Sequence, residues 1–391
     1  MVAANKGMDW TAAAFGAALA YLIFLAAMFL GHFWLRDAGG TPIANDFIDV
    51  FAAGKMTAAG HAAAVYDWQA HRAAEVAVAG EDFVGYYGWH YPPPFLFIAT
   101  ALSRLPYFAA FLLWVVATLP LYVFAVARIA GKREAVLWAC AFPAVALNAY
   151  VGQNGFVTAG LIGAMLLLLE DNPILSGVCL GLLTYKPQFG LLFPIVFLAS
   201  GQWRVLASAS ATALCLIVAS ILAFGFDSWI AFFHSIPHAT DVILTGGHAG
   251  WNKLQTVYGF ARWIGAGNEA AWSAQISIAL LMALGVVFMW RGRIPFELKA
   301  AALCAAVLLA TPYAYIYDFP LLAISVAFLY RHQAFSAYEA AVLLAVCLLI
   351  AAFPWVGAPL GLAATLLVTS LISRRARKIA FPHSDVALQR A

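Results

Sequence analysis

The sequence predicts an all-α polytopic membrane protein with about twelve transmembrane helices plus one half-helix. Three observations lead there. Hydrophobic residues make up 64% of the 391 positions and charged residues only 10%, against roughly 25% charged in a soluble domain. Mean hydropathy is +0.88. Apolar runs follow one another along most of the chain, several of them short and punctuated by Gly or Pro. Such breaks suit helices that line a cavity, because irregular backbone inside a membrane must be shielded from lipid.

Composition also excludes some functions. The net charge of +3 is small, and the basic residues are scattered without interleaved aromatics, so nucleic-acid binding is not expected. Cys140, Cys179, Cys215, Cys304 and Cys347 each lie in an apolar run. None has an activating neighbour, and they read as small buried hydrophobes. His234 and His238 stand at i, i+4 without a third ligand. No metal and no cofactor is expected.

The first span is Trp10 to about Phe33, too long for the apolar core of a cleaved signal peptide. A polar segment follows, from Arg36 to Tyr91, within a first outer loop of residues 35–94. Asn45 is placed to cap a helix. After it Phe47, Val50, Phe51 and Gly54 recur at helical spacing, with Asp46 and Asp49 on a neighbouring face. Asp67 is placed to cap a second helix whose apolar side would be Ala73, Val76 and Ala77. Both helices are expected to lie on the membrane surface. Pro92-Pro93-Pro94 then starts a run to Leu105, about half the ~20 residues a crossing needs.

Tyr107–Ala127 is a full span. Further runs are Ala135–Ala149, Phe156–Leu169, Ile174–Thr184, Phe189–Ala199 and Val205–Phe224. After a large outer loop of residues 226–275 come Ile276–Trp290, Leu298–Ala310, Phe319–Leu329, Tyr338–Phe353 and Gly357–Ile372. A single transmembrane domain would cover residues 1–373, with 374–391 as a basic tail.

Orientation follows from Lys and Arg, which favour the cytoplasmic side. The run Arg374-Arg375-Ala376-Arg377-Lys378 goes inside. Arg331, Arg291, Arg293, Arg204, Arg128, Lys132 and Arg133 follow it, and the N-terminus then lies inside only if Phe95–Leu105 is not a complete crossing. Five polar features then fall outside: Arg36–Tyr91, Val151–Asn154, Lys186, the large loop and Thr311–Tyr317. They gather at one face and do not form a path across.

Those outer residues are the candidate site. Asp46 and Asp49 suit a helix start, where acids are favoured. Beside the aromatic set Tyr86, Tyr87, Trp89, His90 and Tyr91, a carboxylate also suits sugar binding. The aromatics alone equally fit an interfacial belt. Gly152-Gln153-Asn154-Gly155 reads as a tight turn, or as amides aimed at a sugar or phosphate. Lys186 sits between apolar runs, where a lysine costs roughly 2.5–3.5 kcal/mol unless it snorkels or is paired. It could meet a phosphate. Asp318, beside Tyr313, Tyr315 and Tyr317, is a capping acid or a second polar contact. The large loop adds His248 and Lys253.

The pattern Asn45-Asp46-Phe47 after a first span, then Tyr91-Pro92-Pro93-Pro94, resembles the C-type glycosyltransferase superfamily. Gly152-Gln153-Asn154 and Gly181-Leu182-Leu183-Thr184-Tyr185-Lys186-Pro187 resemble glycosyltransferase family 87, which includes bacterial polyprenyl-phosphate-mannose-dependent mannosyltransferases. The resemblance runs from about Trp10 to Leu329. It implies a polyprenyl-phosphate monosaccharide donor and a glycolipid or glycan acceptor. It also implies a bacterial inner-membrane location with the site facing the periplasm or exterior. Asp46 would be the catalytic base of an inverting transfer that uses no nucleotide sugar. The segment after Pro312 departs from the pattern, because it holds no His. Tyr317, His248 or Lys253 would then contact the phosphate or acceptor. Lys186, Gln153 and Asn154 are further phosphate candidates, and Asp49, Tyr87, His90, Tyr91 and Asp318 substrate candidates.

The residues support this reading without the family. Transfer from a lipid phosphate needs a carboxylate to accept the acceptor proton, donors for the departing phosphate and a groove for the lipid. A flippase or transporter of a lipid-linked sugar is the main alternative, and a non-catalytic membrane subunit the second. Transporters place polar residues near the midplane and often show repeated halves, and neither is evident here.

Overall fold

The computed structural model describes residues 10–85 and 87–380. Tyr86 and the basic tail beyond residue 380 lie outside the described residues.

The first helix, α1 (Thr11–Leu30), buries only Ala14 and leaves Leu22, Ile23 and Phe24 exposed. An apolar helix exposed on most sides is made for lipid. The polar segment then forms α2 (Phe47–Ala58), a 3₁₀ turn at Ala63–Tyr66 and α3 (Trp68–Ala79). As expected, Asp67 caps α3, its carboxylate accepting from Gln69 N at 3.0 Å and Ala70 N at 2.9 Å. Three other expectations are corrected. Asn45 sits one residue before the α2 cap and accepts from Phe47 N at 3.0 Å. Helix α2 does not lie on a surface, since Phe47 through Gly54 are all buried. The buried residues of α3 are His71 and Glu75, whereas Ala73 and Ala77 are exposed.

Pro92 has no N–H and is extended, so the chain turns there. A 3₁₀ turn at Pro93–Phe95 leads into α4 (Leu96–Leu102). Together they span about 15–17 Å at ~1.5–2 Å per residue, half of a ~30 Å hydrocarbon core. Helix α5 (Tyr107–Ala130) is long and apolar. The run 135–149 breaks at extended Phe142 before Pro143, giving α6 (Ala135–Ala141) and α7 (Pro143–Val151). Then come α8 (Gly155–Leu168), α9 (Pro173–Leu182), a 3₁₀ turn at Leu183–Tyr185, α10 (Pro187–Gly190) and α11 (Leu192–Ala199).

Helix α12 (Trp203–Phe224) leads into residues 226–275, expected as a loop but mostly helical. They form α13 (Phe226–Thr240), a π turn at Asp241–Thr245, a 3₁₀ turn at Trp251–Lys253, α14 (Val257–Trp263) and the start of α15 (Asn268–Arg291). Helix α16 (Phe296–Ala310), a 3₁₀ turn at Ile316–Asp318 and α17 (Pro320–His332) follow, then α18 (Ala337–Val356) and α19 (Leu360–Ala380). Helix α19 continues past Ile372 into the basic run, with Arg375 buried.

Among the described residues, five helices are long and apolar enough to cross a membrane: α1, α5, α12, α15 and α18. The core is different. Helices α16 and α17 are shorter, and most residues of each are buried. A helix that is apolar all round belongs inside a bundle. The molecule is therefore a membrane bundle whose short central helices end within it, and their ends create the site.

Candidate functional site

Four chain reversals meet at one end of the central helices. They are the start of α2, the α7–α8 turn, the Leu183–Lys186 turn and the Ile316–Asp318 turn. Two glycines make the α7–α8 turn possible. Gly152 has φ +73°, and a Cβ there would meet the Phe111 ring at 2.5 Å. At Gly155 a Cβ would lie 1.9 Å from the Tyr317 carbonyl oxygen, so α8 can pack directly on the Ile316–Asp318 turn. The Trp114 indole donates to Gly152 O at 2.9 Å and holds the turn against α5. The tight turn expected from Gly152-Gln153-Asn154-Gly155 is present, and it also aims two amides.

Gln153 joins the polar segment after α1 to the bundle. Its Nε2 donates to Asp46 Oδ2 at 3.4 Å, and its Oε1 accepts from the Tyr91 hydroxyl at 3.0 Å. Asp46, Gln153 and Tyr91 are thus brought together. The Tyr107 hydroxyl donates to Asn45 Oδ1 at 3.1 Å and fixes the entry to α2. Burial pushes the Asp46 carboxyl up to about 6; the Gln153 hydrogen bond opposes this, Asp49's charge adds to it, and Lys253's charge opposes it. A carboxylate near 6 is available as a base at neutral pH. Lys253 itself is exposed.

Asn154 turns the other way. Its Oδ1 accepts from Lys186 Nζ at 2.9 Å. Lys186 also pairs with Asp318 Oδ1, and both side chains are almost fully buried. The ammonium lies 4.8 Å from the Phe189 ring centroid and 5.6 Å from that of Tyr317. Lys186 therefore does not snorkel; its charge is met inside the bundle. Asp318 does cap, as one of its two readings expected, with Oδ2 accepting from Tyr315 N at 3.1 Å. It binds Lys186 with its other oxygen.

The remaining candidates are dispersed. Asp49, one turn along α2, approaches His71 of α3 at 3.0 Å. The Tyr87 amide donates to Glu75 Oε2 at 3.3 Å. His90 is exposed, with its ring 5.6 Å from that of Trp68. His248 is exposed, its amide on Val242 O at 3.0 Å.

Sequence reasoning missed His71 and Glu75. Their i, i+4 spacing was legible, but Ala73, Val76 and Ala77 made the opposite face look like the buried one. Burial also pushes the Asp49 carboxyl up, with His71 opposing, and pushes Glu75 up to about 8, with Asp49's charge adding.

The fold and this polar chamber define a polytopic membrane protein with a buried, carboxylate-bearing site at the ends of short central helices. A model of glycosyltransferase family 87 matches residues 89–312, more than half the chain. The chain belongs to glycosyltransferase family 87 and is a membrane glycosyltransferase. Comparisons with curated proteins and with solved structures return no match. Gln153, Asn154, Lys186, His248 and Lys253 fall within the matched residues, and Asp46 and Asp318 outside them.

Proposed function

We propose that the protein moves a monosaccharide from a polyprenyl-phosphate donor to a hydroxyl of a glycolipid or glycan acceptor, with inversion. Asp46 is the general base. It takes the proton from the attacking hydroxyl, while the bond from the anomeric carbon to the phosphate oxygen breaks and the phosphate leaves with the electron pair. One carboxylate is enough, since no covalent sugar intermediate forms and a phosphate needs little protonation to leave. The observation that carries this reading is the Gln153 bridge. It holds a half-buried carboxylate of raised pKa beside the Tyr91 hydroxyl at the mouth of the bundle.

Two further features support a lipid-linked donor. An apolar groove of about 230 Å³ runs between α11, α15 and α16, lined by Phe189, Leu192, Ile195, Ile276, Leu280 and Val307. It starts beside Lys186, whose ammonium rests on the Phe189 ring. A prenyl chain there would bring its phosphate to the polar chamber. Lys253 is the exposed cation whose charge reaches Asp46, and we read it as the phosphate contact. Lys186, already paired, braces the Gln153-Asn154 turn against Asp318.

The chamber faces outward in this reading. Arg331, Arg374 and Arg375 lie at the far ends of α17 and α19, and basic residues favour the cytoplasmic side. The shorter apolar segments complete the twelve crossings with α4 as the half-helix, and the membrane is the bacterial inner membrane.

The test is transfer from a synthetic polyprenyl-phosphate sugar by purified protein. Asp46→Asn should lower the rate by roughly 10²–10⁴-fold, the span of general-base catalysis, with normal expression and insertion. Full activity in that variant would sink the assignment of the base. If the wild-type protein fails with every polyprenyl-phosphate sugar but accepts a nucleotide sugar, the donor class is wrong.

A further inference from the structure

The cluster beneath Asp46 has no task in that mechanism. Asp49, His71 and Glu75 each offer one ligand atom, and those atoms lie within 4.8 Å of one another. All three side chains are buried, and His71 and Glu75 have no measurable exposure. His71 Nε2 lies 3.0 Å from Asp49 Oδ1 and 3.8 Å from Glu75 Oε1. Yet Asp49 Oδ1, Glu75 Oε1 and both ring nitrogens of His71 complete no hydrogen bond. The three ligand atoms cluster together, and the short His71–Asp49 contact is an ion pair when the ring is protonated.

Buried polar atoms are normally paired, and unpaired ones call for an explanation. Were Asp49 and Glu75 both ionised, they would place uncompensated negative charge in a dry place, which burial opposes. The neighbouring cation, Arg72, is turned to the carbonyls of Phe83 and Gly85. A divalent cation would satisfy three of these four atoms, Asp49 Oδ1, Glu75 Oε1 and His71 Nε2, and balance both carboxylates. The spacing fits. Ligands about 2.0–2.1 Å from a tetrahedral zinc lie about 3.3 Å apart, between the 3.0 and 3.8 Å observed. Three protein ligands of N and O type leave a fourth position for water. The second oxygen of Glu75 is already oriented by the Tyr87 amide, the kind of outer contact that ligating carboxylates have.

We propose that Asp49, His71 and Glu75 form a divalent transition-metal site, zinc first, that ties α3 to the first turn of α2. The imidazole ligand and tight spacing disfavour magnesium, which prefers oxygen ligands and keeps its waters. The site does not depend on which sugar the enzyme transfers.

The test uses the full-length protein in detergent, stripped with a chelator and given Zn²⁺ alone. Elemental analysis after desalting should find one zinc per chain, and the Tm should rise. Mg²⁺ should do neither. Glu75→Gln and His71→Ala should each weaken binding by roughly tenfold or more, since even outer-shell changes reach that size. His234→Ala should leave zinc content unchanged. Absence of stoichiometric zinc in the wild type, or unchanged zinc in both α3 variants, overturns the site. Should the α3 variants fail to fold, Co²⁺ added to the stripped wild type decides. Visible absorption bands that zinc displaces support the site, and no bands refute it. None of these readouts uses sugar transfer, so they stand or fall apart from the transferase mechanism.

Discussion

Two buried ion pairs hold the two ends of α17, and they are built differently. The helix has 13 residues, about 20 Å at ~1.5 Å per residue. At its far end Arg375 grips Glu339 with two arms, Nε to Oε1 at 2.7 Å and Nη2 to Oε2 at 2.9 Å. It also donates to the carbonyls of Leu329 at 2.6 Å and Gln333 at 2.9 Å, closing the end of α17. Glu339 completes a capping box with Ser336. Every strong donor there is matched by a fixed acceptor. At the near end Lys186 meets Asp318 as a point charge, with Asn154 as its second acceptor and two ring faces for company. A planar guanidinium is suited to a permanent staple, whereas an ammonium can exchange partners. The first pair closes a helix end. The second holds three chain reversals together.

Breaking the near pair should cost most. Asp318→Ala leaves an ammonium buried without its counter-charge, expected to destabilise by about 3–5 kcal/mol. Thermal unfolding in detergent would read it. The double variant Lys186→Met with Asp318→Leu should recover most of that loss, because two apolar side chains avoid the desolvation cost. A single and a double variant of equal stability would contradict the pairing as described.

At the far end Arg375→Lys keeps the charge but loses the fork. A loss of roughly 1–3 kcal/mol is expected, the range for hydrogen bonds to charged groups, with the transfer rate per folded molecule unchanged. A large fall in that rate would mean the two ends are coupled, and the comparison would fail.

The third effect is on pH. With the Asp46 carboxyl near 6, the base form dominates at pH 7 and the acid form at pH 5. The rate should therefore fall roughly tenfold between them, the consequence of titrating one group. Stability has the opposite sign. The folded value lies above the ordinary carboxylate value, so this group's contribution is fully present below about 4 and is lost as pH rises through about 6. A flat rate profile across pH 5–7 would remove Asp46 as the base. The smallest effect is at Asp67, an exposed cap. Asp67→Ala should cost about 1 kcal/mol, seen as faster amide exchange at Gln69 and Ala70.

Much of the bundle was legible in the chain. The apolar runs placed α1, α5, α12, α15 and α18, because lipid demands length and hydropathy and both are local properties. Pro92 to Pro94 marked a break, since proline acts on its immediate neighbours, whereas the break at Pro143 fell inside a run expected to be continuous. The turn at Gly152 was readable for the same reason. Residues 226–275 were harder. Their helices carry enough polar residues to pass for a loop, and packing rather than hydropathy makes them helical.

The site was legible only as an inventory. Asp46, Gln153, Asn154, Lys186 and Asp318 stood out as polar residues at one expected face. That Gln153 links Asp46 to Tyr91, and that Lys186 turns to Asp318 across 132 residues, depends on contacts between distant segments. The helix α3 shows the limit most clearly. Its apolar stripe pointed one way by periodicity, yet His71 and Glu75 are the buried pair, because Asp49 lies on the helix that packs against them. By itself the sequence determined a membrane bundle with an acidic motif after its first span, since burial in lipid is decided residue by residue. Only the tertiary structure decided which polar groups meet, because partners are chosen where helix ends converge and not along the chain.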